Sequence, residues 1–360
     1  MIINDSIYGR YKINEPVLVE LIKSKPMQRL KKIAQLGIPN RFYHIRGFSR
    51  FEHSLGVMLL LRKLNASLEE QAAGLLHDVS HTAFSHVFDW AVGNQEAEDY
   101  QDKSYKKFFF NSEIPGILRR QGFNVNKISD LKQFSLLEKE IPNLCADRID
   151  YALREFHLWA NPEAVDYLVE HLSNVNGKIV FTNQKSACLF ATTFLKCQRE
   201  HWGGAEAVAR YYLFSLILKD ALNKKILNIG DFYQNDNFVV SKLIKSRDRK
   251  ILKQLNLLKN KTLSRKAGRV REIVRKKFRY VDPEFLIDGK IKKLSQASKK
   301  FKLFLERQKL LNQKGVAVFY KPISERGREN PSVAESQRSE EETGVSSTLP
   351  YRKILKTEGC

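Results

Sequence analysis

Cysteine is scarce in this chain: Cys145, Cys188, Cys197 and Cys360 are its four, and no two stand in C-x-x-C spacing. That pattern argues against a zinc ribbon and a disulfide framework, and makes a reducing, cytoplasmic setting the expectation. Long apolar runs are missing too. No window approaches the roughly 18 consecutive apolar residues that a membrane helix needs, so no membrane partner is expected. The start, "MIINDSIYGRYKINEP", lacks the basic-then-apolar order of a secretory leader. No internal repeat is visible. Acidic residues are sparse in one block: between positions 241 and 320, 25 Lys and Arg face only 6 Asp and Glu. Most of the net charge of +22 therefore sits there, while residues 1–240 carry about +3.

What is present is mainly helical patterning. "VLVELIKSKPMQRLKKIAQLG" spaces its apolar residues by threes and fours and stops at Gly37. "EHSLGVMLLLRKLNA" and "SLEEQAAGLLHDVS" read as two successive helices, the second opened by a Ser67 and Glu70 capping box. "SYKKFFFNSEIPGILRRQG" and "LLEKEIPNLCADRIDYALREFHLW" continue in the same style, and strands are expected only at 177–183 and 316–322. The expected organisation is a helical domain over 1–220, a basic, helical accessory region over 221–321, and a disordered tail over 322–360, where apolar residues are too few to build a core.

The chemistry concentrates in "LLHDVSHTAFSH", which packs His77, Asp78, His81 and His86 into residues 75–86 of a chain with only eight histidines. Imidazole and carboxylate are costly beside an apolar run unless they are paired or bind a metal. His53 stands 24 positions before His77, at the start of the preceding helix, and an antiparallel helix pair brings those two ends together. "CADRIDYALRE" adds Asp147 and Asp150 on an amphipathic helix, where Asp150 is expected to pair with Arg154 at four spacing. Two imidazoles with two carboxylates suit manganese, iron, zinc or magnesium better than a metal that prefers thiolate. Such a site can hold a water and raise its acidity.

The pattern His53, His77-Asp78, Asp147 resembles that of the HD-domain metal-dependent phosphohydrolases. The blocks "RLKKIAQLG", "SRFEHSLGV", "HDVSHTAFSH" and "DRIDYALRE" are similar to the branch of SAM-and-HD-domain deoxynucleoside triphosphate triphosphohydrolases, over residues 8–220. The resemblance implies an HD-type helical bundle in which His53, His77, Asp78 and Asp147 bind one divalent metal. It implies that His81 and His86 lie beside the phosphate, with Asp89 supporting proton transfer. Arg50 and Arg148 take the places of phosphate-contacting cations. Gln35, Tyr151 and Glu155 take those of sugar contacts, with Tyr151 packing on the ribose. A nucleotide substrate and a homo-oligomer are the partners it implies.

One departure bears on the substrate. Where members of that branch carry a further histidine as general acid, this chain reads "DYQDKSYKKFF", and no histidine occurs between His86 and His157. Triphosphohydrolase action on a deoxynucleoside triphosphate is the leading expectation. A phosphodiesterase or nucleotidase acting on another phosphoester is its competitor. The third expectation is nucleic-acid binding by the basic residues 241–320, where Phe278 and Tyr280 interleave with cations. A solvated, lysine-rich surface is the simpler reading of that block.

Overall fold

The computed structural model describes residues 1–95, 97–159, 162–260, 262–263 and 270–320. The expected disorder of 322–360 lies outside the described residues. The chain opens with an antiparallel hairpin of β1 (Ile2–Asp5) and β2 (Gly9–Lys12), which the sequence pattern did not announce. The Asp5 carboxylate closes its turn by accepting the backbone N–H groups of Ile7 and Tyr8.

The helix expected to run to Gly37 is two short ones, α1 (Pro16–Lys23) and α2 (Lys25–Leu30), followed by turns up to Ser49. Ser24 is extended between them, and Pro26 has no N–H to offer the Ile22 carbonyl. The Gln28 side-chain amide takes that carbonyl instead, at 2.7 Å.

The two successive helices form as expected, as α3 (Arg50–Lys63) and α4 (Leu68–Leu76). α3 is buried on nearly every side, which makes it the axis of the bundle. Ser67 caps α4 through the Glu70 N–H at 3.1 Å, but Glu70 turns its carboxylate to the Leu136 N–H, so the capping box is only half made. The reciprocal box forms at Ser49 and Glu52 instead and starts α3. Next come α5 (His86–Ala91), α6 (Tyr100–Phe110), α7 (Ile114–Arg120), α8 (Val125–Ser129), α9 (Ala146–Trp159) and α10 (Pro162–Glu170).

α3 packs against both α4 and α9, and glycine permits each approach. A Cβ on Gly74 would stand 2.3 Å from Leu61, and one on Gly56 would stand 2.0 Å from both Asp150 Oδ1 and Arg154 Nη2.

β3 (Leu172–Val175) and β4 (Lys178–Phe181) precede α11 (Gln184–Cys197), which runs into a π-helical turn at Gln198–Trp202 and then α12 (Ala205–Asn223). The basic segment alternates α13 (Asp236–Lys245) and α14 (Arg249–Leu258) with β5 (Val270–Val274), β6 (Glu284–Ile287) and β7 (Lys290–Lys293). It ends with α15 (Leu294–Ala297), α16 (Lys299–Gln313) and β8 (Val316–Tyr320). β6 pairs in parallel with β4 at Phe181 and Phe285, giving a sheet in the order β3-β4-β6-β7, while β5 pairs antiparallel with β8. The fold is mainly α with a few short strands, and both expected strands are present as β4 and β8.

Two apolar cores result. One gathers α3, α4, α9 and α11; the other gathers α5, α12, α13 and α14. The segment 75–86 crosses from the first to the second. Leu75, Leu76 and Val79 belong to one core and Ala83 and Phe84 to the other, with His77, Asp78 and His81 between them.

Candidate metal centre

His53 lies in the first turn of α3 with no solvent exposure. Its Nδ1–H donates to Asp150 Oδ2 at 2.7 Å, and Asp150 also accepts from Arg154 Nε at 2.9 Å. Arg154 continues to Asp5 of the hairpin at 2.7 Å. His77 follows the last residue of α4 and donates its Nδ1–H to the Gly74 carbonyl at 2.7 Å. With both Nδ1 atoms acting as donors, each neutral ring turns a bare Nε2 lone pair inward.

Those two Nε2 atoms stand 3.2 Å apart, with Asp147 Oδ1 3.0 Å from His53 and 3.6 Å from His77. Three lone-pair donors therefore converge with no hydrogen to share between the neutral rings. They repel unless a proton or a metal ion sits among them. Neighbouring ligands of an ion bound at about 2.1 Å lie about 3 Å apart, so the spacing suits a first-row or magnesium ion.

Asp78 adjoins this set. Its Oδ1 lies 3.5 Å from His77 Nε2 and 3.3 Å from His81 Nε2, and its Oδ2 accepts from Arg50 Nη1 at 2.5 Å. Burial works against its charge, yet Arg50, His77 and His81 hold the carboxyl well below the usual carboxylate range. Burial disfavours charge on His77 as well, but Asp78 and Asp147 push it up to about 10. A divalent ion would compete directly with that proton. His81 goes the other way: burial, then the Arg50 charge, pushes it down to about 3, so it is neutral near pH 7.

The turn carrying these groups is held from distant parts of the chain. Phe84 and Ser85 have positive φ, of 64° and 47°. Asp236 of α13 accepts the Phe84 and Ala34 N–H groups at 2.9 Å each. Arg29 donates to the Val79 and His81 carbonyls at 2.7 and 2.8 Å, and Arg50 Nε donates to Ser85 Oγ at 2.7 Å.

The remaining expected residues divide into two groups. His86 is half-buried, its ring perpendicular to that of His81 at 5.4 Å, with Asp89 3.4 Å from its Nδ1. Asp89 also accepts the Tyr100 N–H at 2.9 Å and so opens α6. Tyr151 sits one turn beyond Asp147, its ring 6.4 Å from His53 and edge-on to Trp202 at 5.6 Å. Gln35 holds its Oε1 buried without a partner among the described residues. Arg148 lies beside Tyr151 and Asp147, while Glu155 faces elsewhere. Arg148 donates to the backbone carbonyls of Lys139 and Asn143, and Glu155 is buried 3.1 Å from His201 Nδ1.

Sequence reasoning assigned Asp150 to Arg154 alone, because its other partner, His53, lies 97 positions away. It missed Arg29, Ser85 and Asp236, whose roles come from tertiary contacts that no local pattern signals.

Residues 50–151 match the HD domain family. The chain is 36% identical over 330 residues to the uncharacterized protein YdhJ of Bacillus subtilis, across 88% of this chain and 98% of that one. It is 40% identical over 155 residues to the metal-dependent phosphohydrolase cns2 of Cordyceps militaris, across 43% of this chain and 45% of cns2. Over 105 residues it is 41% identical to the deoxynucleoside triphosphate triphosphohydrolase SAMHD1 of Homo sapiens, across 24% of this chain and 16% of that enzyme. The HD match spans the three converging ligands, and the likeness to YdhJ runs nearly end to end. The chain thus belongs to the HD-domain metal-dependent phosphohydrolases.

Proposed function

We propose that this phosphohydrolase acts on nucleotides, and that its reaction is the hydrolysis of a deoxynucleoside triphosphate to the deoxynucleoside and triphosphate. The observation that carries the reading is the convergence of His53, His77 and Asp147 beside the buried Arg50. The local likeness to a triphosphohydrolase over 105 residues supports it.

In this reading His53, His77, Asp147 and Asp78 hold one divalent ion. Such an ion supplies Lewis acidity and lowers the pKa of a nucleophilic water. Arg50 neutralises charge on the phosphoryl oxygens, its guanidinium fixed by Asp78 and Ser85. His81, kept neutral by burial and Arg50, accepts or returns a proton. His86, oriented by Asp89, stands beside the leaving group. Tyr151 packs on the sugar, Gln35 offers it an unpartnered amide oxygen, and Arg148 and Glu155 reach it by leaving their present partners.

A second reading, hydrolysis of another phosphomonoester or a phosphodiester, has its own support. The place of the absent histidine holds Tyr105, which is 5% exposed and packed against Phe109. Burial and the Glu138 charge raise its pKa further still, so it is no proton donor near neutral pH. The nucleic-acid reading is weaker. Phe278 and Tyr280 stack on each other at 5.2 Å, and Lys309 Nζ lies 5.0 Å from the Tyr280 centroid, so each ring already has a partner on a face a base could use. No helix among the described residues is long and apolar enough to cross a membrane.

A nucleotide panel with Mn²⁺, its products resolved by mass, tests the proposal. Triphosphate release that is lost in Asp78→Ala supports it. Turnover of other phosphoesters alone supports the second reading, and no turnover of any phosphoester refutes both.

A further inference from the structure

The basic block sends one extended segment back between the loop after α5 and the π-helical turn. Residues 275–279, "RKKFR", lie between two walls. On one side, Gln95 donates to the Arg275 carbonyl at 3.1 Å, and Lys277 Nζ reaches the Ala97 carbonyl at 3.4 Å. On the other side, Lys276 Nζ donates to the Trp202 carbonyl at 2.9 Å and lies 3.9 Å from the centre of the Tyr211 ring. Gln198 of the π-helical turn donates to the Lys277 carbonyl at 3.4 Å. The first wall is the loop that follows His86 and Asp89. The second carries Trp202, which packs on Tyr151. The strap therefore ties together the two sides of the cleft.

Arg279 ends the strap. Its Nη2 donates to Glu98 Oε2 at 2.6 Å, while Glu98 Oε1 accepts from Trp90 Nε1 at 3.1 Å. The Glu98 side chain is 1% exposed and that of Arg279 is 24% exposed. Arg279, Lys276 and His86 all act on the Glu98 carboxylate, and Arg279 acts also on the Tyr151 hydroxyl. Arg279 thus lies within electrostatic reach of Tyr151, and its partner Glu98 within reach of His86. One carboxylate faces two fixed cations, so positive charge is left over. The Nε–H and Nη1–H₂ groups of Arg279 have no protein partner among the described residues, and part of the side chain is open to solvent. Free donors of a held guanidinium suit a phosphate oxygen better than any neutral group.

We propose that Arg279 is a substrate-binding residue, a phosphate-contacting cation that the basic block supplies to the HD cleft, with Glu98 as its positioning residue. The assignment rests on the phosphohydrolase reading of the site. It places one cation of the 241–320 block inside the reaction chamber instead of on a nucleic-acid track.

The test is calorimetric binding of inorganic tripolyphosphate to the Mn²⁺-loaded protein, with the KM for the best substrate measured alongside. Arg279→Gln should weaken tripolyphosphate binding and raise KM by about 10- to 100-fold, the range of a lost charge-assisted hydrogen bond, with Mn²⁺ affinity unchanged and a lower melting temperature because Glu98 loses its partner. Arg279→Lys keeps the charge and the Glu98 pair but loses the fork, so it should recover part of the loss. If Arg279→Gln does not fold, Arg279→Lys carries the test alone, with a several-fold loss expected. Unchanged tripolyphosphate affinity and KM overturn the proposal while leaving the phosphohydrolase reading intact. A wild type that neither binds tripolyphosphate nor hydrolyses a phosphoester overturns both. Parallel losses of Mn²⁺ affinity and stability, with no recovery in Arg279→Lys, make Arg279 a structural residue and also overturn the proposal.

Discussion

Replacing Asp150 with asparagine removes one negative charge from the buried row His53–Asp150–Arg154–Asp5. Asp150 is fully buried and accepts from His53 at 2.7 Å and from Arg154 at 2.9 Å. Both bonds end on Oδ2, so an asparagine oxygen in that place keeps them only as a neutral, weaker acceptor, and its amide group replaces the free oxygen. There is no room to turn away, since the free oxygen of Asp150 lies against Gly56. Arg154 keeps Asp5 at 2.7 Å, so the stability loss falls at the low end for a broken buried pair, about 3 kcal/mol. His53 keeps an acceptor for its Nδ1–H but loses the negative charge that raises its basicity as a ligand. Metal affinity should therefore drop about 10- to 100-fold. Mn²⁺ calorimetry on Asp150→Asn reads the second effect, and denaturation of the metal-free protein reads the first. Asp5→Asn is the contrast: it touches Arg154 but not His53, so it should cost stability and spare metal affinity. Wild-type Mn²⁺ affinity in Asp150→Asn would refute the argument.

Three further outcomes follow from particular contacts. Gly56→Ala gains about 1 kcal/mol of helix propensity but sets a methyl group 2.0 Å from Asp150 and Arg154. It should lose about 2 kcal/mol net in urea, and a more stable variant would contradict the tight crossing of α3 and α9. Asp236→Ala leaves the Ala34 and Phe84 N–H groups without their acceptor. It should cost about 2 to 5 kcal/mol and lower kcat by loosening the turn that carries His81; an unchanged melting temperature refutes this. Glu98 governs acid sensitivity. Burial disfavours its charge, but Arg279, His86 and Lys276 hold its pKa below the ordinary value of 4.5. Its stabilisation is therefore complete above that value and is lost as pH falls below it, at up to about 1.4 kcal/mol per pH unit. Urea midpoints between pH 5 and pH 3 should fall less steeply in Glu98→Gln; equal slopes would refute the pairing.

How far the sequence could be read depended on where each partner lies. His53 and His77 were legible because a helix pair with a short connection dictates that one helix start meets the next helix end, and Asp147 through the resemblance of its block to the family pattern. Asp150 was legible only toward Arg154, four residues on, and not toward His53. The first helices were overread, since apolar spacing continues past Ser24 although the backbone does not. The β1–β2 hairpin was missed because two four-residue strands leave too short a pattern. Arg279 entered the reading only as one unit of charge in a basic block. Its position depends on Glu98, Gln198 and Trp202, which no local rule connects to it.

The central claim is that His53, His77 and Asp147 hold the ion on which phosphoester hydrolysis depends. Product-resolved hydrolysis of a nucleotide panel by the wild type and Asp147→Ala, each with Mn²⁺, with EDTA and after Mn²⁺ is restored, addresses it most directly. Wild-type turnover should vanish with EDTA and return with Mn²⁺. Asp147→Ala, with unchanged circular dichroism, should be at least about 1,000-fold slower than the wild type wherever Mn²⁺ is present. Turnover in Asp147→Ala at the wild-type rate, or wild-type turnover indifferent to EDTA, would contradict the claim.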